Sequence, residues 1–212
     1  MVTGLMPSRH RFLFNRIEEY PPDTYVSGTM LDAVHAAGRT TALYVSKQKL
    51  RILAKPEVLN RQIVTDTGRS DEVVAAFLED LAAGGSGGWD LTVIHLVEPD
   101  VVGHAKGWMS RDYQHAVQII DEEIGRIIGA LEQRQVLSQT LVLITADHGG
   151  IWRNHRLHIS RVLHVPWIAL GPPELSGGKP LERSVGPCDI VPTILSALGL
   201  PIPAGLDGSP VF

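Results

Sequence analysis

Apolar residues along the chain follow two alternating rhythms. Continuous apolar runs occur at Thr40–Val45 (TTALYV), Leu91–Val97 (LTVIHLV), Thr140–Thr145 (TLVLIT) and Val165–Leu170 (VPWIAL). Runs this short, without polar alternation, predict strands buried on both faces, as in the middle of a parallel sheet. Between them lie segments with helical spacing. Ser27–Ala37 carries Met30, Leu31 and Val34 and stops at Gly38, a C-terminal signal. Asp71–Ala83 is amphipathic and ends in the glycine-rich turn 84–88. Tyr113–Gln133 repeats apolar residues at Val117, Ile120, Ile124, Ile127, Ile128 and Leu131. Asp189 is expected to cap a last helix, Ile190–Leu198, with Pro192 in its first turn, where a missing N–H costs little. The first twenty residues and the stretch from Pro56 to Gly68 predict no regular element, and 171–178 reads as a loop.

Helix–strand alternation of this kind predicts an α/β fold, with helices on both faces of a largely parallel sheet. A length of 212 residues suits one such domain and is short for two, so residues 1–212 are read as a single domain. No apolar run reaches about 18 residues, so no membrane-spanning helix is expected. The net charge of −4, with no basic stripe, gives no electrostatic case for nucleic-acid binding. A mildly acidic protein that handles anions must supply positive charge locally, and bound metal ions are one means. The single cysteine, Cys188, excludes an intramolecular disulfide and leaves the compartment open. Met1–Phe14 mixes Arg9, His10 and Arg11 with apolar residues and has no clean signal-peptide core, so a cytoplasmic location is the default expectation. Oligomeric state is not written in the sequence.

Chemistry gathers after two of the expected strands. In an open α/β sheet, ligand sites collect beyond the carboxyl ends of strands. One strand runs into Glu98-Pro99-Asp100-Val101-Val102-Gly103-His104, the other into Ala146-Asp147-His148-Gly149-Gly150. An aspartate after a strand is often a helix cap, and a lone loop histidine is usually solvated. Two Asp/His pairs at equivalent places call for a further reason. Carboxylate and imidazole together suit an ion of the zinc or manganese class. Two such pairs and one more histidine would suit two ions roughly 3.5–4 Å apart, clamping the attacking and leaving oxygens of a displacement. His95, inside an apolar run, reads as a core histidine whose loss would chiefly affect stability.

These residues resemble the alkaline phosphatase superfamily, most closely its type I phosphodiesterase/nucleotide pyrophosphatase branch. The resemblance rests on DxxGH at Asp100–His104 followed by Gly107, Ser110 and Tyr113, on ADHGG at Ala146–Gly150, and on Val165-Pro166-Trp167-Ile168 with Gly171-Pro172. It extends to Asp189-Ile190-Val191-Pro192-Thr193-Ile194 with Leu198-Gly199-Leu200-Pro201, and to Thr3-Gly4, Pro7 to His10 and Asn15. It implies an alkaline-phosphatase-like fold in which Asp100, His104 and a third ligand hold one ion and Asp147 and His148 hold the other. The third ligand is His155 by the branch's spacing, with His158 as the rival and His164 structural. Two divalent ions are implied, zinc first and manganese second, acting on a small phosphate ester.

The same resemblance implies two parts that the chain does not show: an N-terminal strand ending in an aspartate ligand, and a Thr or Ser nucleophile ahead of Met1. The expectation is therefore a catalytic domain incomplete at its N-terminus, lacking the strand that bears the nucleophile. In the full site that nucleophile forms a phospho-enzyme, hydrolysed by metal-activated water. The first functional expectation is metal-dependent hydrolysis of phosphate esters; a sulfatase or a phosphoglycerate-mutase-like enzyme shares the framework. The alternative from another class is an inactive remnant that binds at most one metal or a partner. A missing strand would also leave a sheet edge and apolar surface open, favouring aggregation.

Overall fold

Each apolar run expected to be a strand becomes one, over a shorter span, in the computed structural model, which describes residues 1–10, 21, 23–84, 88–172, 175 and 183–212. The glycine-rich turn 85–87, residues 11–20 with Asn15, and most of the 171–178 loop lie outside the described residues. The strands are β1 (Thr41–Val45), β2 (Arg61–Val64), β3 (Leu91–His95), β4 (Val142–Thr145) and β5 (Trp167–Leu170). Helices are α1 (Pro7–His10), α2 (Met30–Ala36), α3 (Asp71–Ala83), α4 (Glu98–Lys106), α5 (Arg111–Gln133), α6 (Ser160–Leu163) and α7 (Ile190–Ala197).

β1 lies between β2 and β3 and runs parallel to both, with Val45 level with Val64 and His95. All five of its residues are buried, which is why its sequence shows no polar alternation. β2 was not expected: Arg61-Gln62-Ile63-Val64 is half polar because it forms a partly exposed edge. β5 pairs antiparallel with β4, Val142 opposite Leu170. Among the described residues β3 and β4 share no ladder, so the sheet is divided into a parallel three-strand part and a two-strand part. A cleft of about 2550 Å³ is lined by both strands and by Ile120, Ile124 and Ile127 of α5.

Helices cover both faces of the three-strand part. Met30, Leu31 and Val34 of α2 pack with Ile190, Val191 and Leu195 of α7 in one core cluster. Ala42 and Tyr44 of β1 join Val73, Phe77 and Leu81 of α3 and Leu131 of α5 in the other. β3 supplies side chains to both layers, Leu91 and Val93 to the first and Ile94 to the second, because its residues alternate sides. The second layer is also pinned by polar contacts. Tyr44 Oη donates to Asp80 Oδ2 at 2.8 Å and accepts from Trp89 Nε1 at 3.1 Å. Burial is the main reason that its phenol pKa is pushed up to about 12.

Local signals explain the helix ends. Thr29 caps α2, accepting from the Asp32 N–H at 3.2 Å while Asp32 accepts from the Thr29 N–H at 2.8 Å, a reciprocal capping box. Asp189 does not act as expected. It precedes α7 without a side-chain cap bond, because a 3₁₀ turn (Pro187–Asp189) aims its carboxylate backward. There it accepts from the N–H groups of Gly186 and Ser209, both at 2.8 Å. Among the described residues no helix is long and apolar enough to cross a membrane.

Candidate metal centre

The segment after β3 is a helix, not a loop. Glu98, Pro99 and Asp100 open helix α4, with Pro99 in the first turn and both acids at the positive end of the helix dipole. Glu98 fixes where that helix starts. Its carboxylate accepts from both the N–H and the hydroxyl of Ser70, and the Val97 N–H donates to Ser70 Oγ at 2.8 Å. Asp100 and His104 are then one turn apart on the same helix, with His104 Nε2 3.4 Å from Asp100 Oδ1.

The segment after β4 does turn as a loop, and its glycines permit a close approach. A Cβ on Gly149 would lie 2.2 Å from the Arg161 carbonyl oxygen, and one on Gly150 would lie 2.1 Å from the Trp108 ring. The Gly149 N–H donates to Val162 O at 2.8 Å. A short reversal, Ile151 bridging to Asn154, then returns His155 toward α4. His148 and His155 stack with ring centroids 3.7 Å apart and planes at 15°.

Four of the sequence candidates thus meet. Asp100 Oδ1 lies 3.4 Å from His104 Nε2, 3.9 Å from His148 Nε2 and 4.0 Å from His155 Nε2. One ligand atom each from Asp100, His104 and His155 falls within 4.8 Å of the others. Asp147 is more exposed; its Oδ2 lies 3.5 Å from His148 Nε2. His158 is exposed and does not enter the cluster. His164 caps the end of α6, its Nδ1 2.8 Å from Ser160 Oγ.

Hydrogen bonding orients two of the rings. A carbonyl oxygen can only accept, so His104 Nδ1 carries the proton facing Arg153 O, and His148 Nδ1 the one facing Gly149 O, each at 2.9 Å. A neutral ring in that tautomer keeps its Nε2 lone pair for the Asp100 side. Asp100 Oδ1 itself is buried with no hydrogen-bond partner. An orphaned carboxylate oxygen facing imidazole lone pairs lacks a proton to share, and a cation satisfies all of them at once.

Electrostatics keep the acid ionised. Burial alone would raise the Asp100 carboxyl, but the Lys47 ammonium on its Oδ2 outweighs burial and holds the pKa below the usual value. His155 is lowered, first by burial and then by His148, which favours the neutral ring. His95, at the end of β3, has Nδ1 3.2 Å from Ser46 Oγ, and burial lowers its pKa to about 4.

Two contributors escaped the sequence reading. Lys47 stands just past the carboxyl end of β1, where ligand sites collect, and that position was its available signal. Trp108 meets His104 edge-on at 5.0 Å and His155 at 6.1 Å. Nothing local to Trp108 announces that role.

Comparison with known proteins places these features in a family context. The profile of the type I phosphodiesterase/nucleotide pyrophosphatase family matches residues 1–170. Human arylsulfatase K is 34% identical over 93 residues, 42% of this chain and 17% of that protein. The 2,3-bisphosphoglycerate-independent phosphoglycerate mutase of Synechococcus elongatus is 29% identical over 164 residues, 72% of this chain and 30% of the mutase. This chain therefore spans less than a third of either relative. Among solved structures, BT4656 in complex with its substrate D-glucosamine-2-N,6-O-disulfate superposes with a TM-score of 0.74 at 13% identity, covering 99% of this chain and 68% of that one. That likeness shows the α/β fold.

Proposed function

Because this chain belongs to the type I phosphodiesterase/nucleotide pyrophosphatase family, we propose that it carries the metal-binding part of a site that hydrolyses small phosphate esters. The observation behind this is the partnerless Asp100 Oδ1 facing the Nε2 atoms of His104, His148 and His155 at 3.4–4.0 Å. Asp100, His104 and His155 hold one ion, and Asp147 with His148 hold a second position with fewer ligands. Mixed oxygen and nitrogen donors favour zinc, then manganese. When bound, such ions neutralise charge developing on phosphoryl oxygens and acidify water.

The protein's own part is orientation. The Arg153 and Gly149 carbonyls fix two imidazoles, Lys47 holds Asp100 from the far side, and Trp108 packs against His104 and His155. The likeness to arylsulfatase K and to the mutase favours sulfate-ester hydrolysis or phosphoryl transfer as second readings on the same framework. Metal binding without turnover by this chain alone is the reading outside enzyme catalysis.

Equilibrium dialysis against zinc, with turnover of bis(p-nitrophenyl) phosphate measured in parallel, tests the proposal. At least one zinc per chain is expected, lost in Asp100→Asn and kept in His158→Ala. A chain that retains no zinc at micromolar concentrations removes the basis for the hydrolase reading.

A further inference from the structure

Met109 and Trp152 share two unusual properties. Both are non-glycine residues in left-handed backbone, with φ of 68° and 51°. Both are 71% exposed. A large apolar side chain on such a backbone carries strain and leaves apolar surface in water together. Strain of this kind persists only where surrounding contacts enforce it.

Here those contacts converge on the candidate metal centre. The Trp108 N–H, beside Met109 in the chain, donates to Trp152 O at 2.6 Å. The next residue, Arg153, offers its carbonyl to His104 Nδ1 at 2.9 Å. Gly107 closes α4 with φ of 98°, and a Cβ there would stand 3.1 Å from Trp152 O. The backbone at both strained residues is therefore built around a histidine candidate ligand. Met109 and Trp152 also line the same cleft as Asp100 and Asp147.

We propose that Met109 and Trp152 form the subsite that receives the leaving group of the ester, and that it selects a flat aromatic group; this rests on the hydrolase reading above. An indole and a thioether make stacking and sulfur–ring contacts with an aromatic ring. A polyol would ask for carboxylate partners, and the sequence from Gly149 to Pro172 contains no Asp or Glu. Arg153 and Arg156 in that stretch suit an anionic ester.

The test titrates the zinc-equilibrated chain with phenyl phosphate and methyl phosphate by calorimetry. Phenyl phosphate is expected to bind about three- to tenfold more tightly, the range of one stacking contact. Met109→Gly and Trp152→Gly should each reduce that preference to within about twofold, while relief of strain raises the melting temperature by roughly 2–4 °C. Trp152→Phe should keep the preference. Equal affinities in the native chain, or a preference that survives both glycine variants, overturn the subsite. Zinc binding without a phenyl preference removes the subsite alone. Absence of zinc binding removes the hydrolase reading and the leaving-group role with it.

Discussion

His95 allows the sharpest test of how burial shapes this region. Its ring sits at the end of β3 against Ser46 Oγ, and burial draws its pKa from the ordinary 6.5 to about 4. The unfolded chain therefore takes up a proton on this residue below about pH 6.5, whereas the folded chain does so only near pH 4. The stabilisation is complete above 6.5 and is lost as pH falls through that window. A gap of that size corresponds to about 3 kcal/mol, with a steepest slope of about 1.4 kcal/mol per pH unit. Urea denaturation with chelator present, followed by circular dichroism between pH 7.5 and pH 4.5, measures it. The native chain should lose about 2 kcal/mol more stability than His95→Gln across that range. His10 and His155 are also lowered, but they are common to both proteins and cancel. Equal losses in the two proteins would refute the assignment of a neutral, buried ring.

Other perturbations separate ligands from scaffold. Asp100→Asn, His104→Ala and His155→Ala should each weaken zinc binding by at least about tenfold in equilibrium dialysis, with the circular dichroism spectrum unchanged. Gly149→Ala should destabilise by about 1–3 kcal/mol in urea denaturation, because the added methyl meets the Arg161 carbonyl rather than a movable side chain. Gly125→Ala, in α5 with nothing within 4 Å of the new Cβ, should instead stabilise by about 0.5–1 kcal/mol in the same assay. Leu31→Ala removes a fully buried side chain between α2 and α7 and should cost about 2–5 kcal/mol by thermal unfolding.

The legible parts of this molecule were those governed by local rules. Apolar runs marked β1, β3, β4 and β5 as strands, but the expected burial on both faces holds only for β1; β5 pairs antiparallel and leaves Ile168 and Leu170 exposed. Asp71–Ala83 was read to its boundaries because amphipathic periodicity and a following glycine agree. β2 was missed because an edge strand tolerates Arg61 and Gln62. Helix α4 was missed because Pro99 and Gly103 argue against a helix, although proline is harmless in a first turn. At the candidate centre, motif spacing pointed to Asp100, His104, Asp147, His148 and His155, of which all but the more exposed Asp147 gather around Asp100 Oδ1. The Lys47 contact and the Trp108 packing were not legible, since both depend on segments distant in sequence. Tertiary proximity has no local signature.

The divided sheet has a mechanical consequence for that cluster. Asp100 and His104 follow β3, whereas His148 and His155 follow β4, and no backbone ladder joins those strands among the described residues. Relative placement of the two pairs depends on α5 and on contacts such as Trp108 with Trp152. A divalent ion shared by the pairs would act as a rivet between two parts that no strand ladder joins, so part of its binding energy would register as resistance to unfolding.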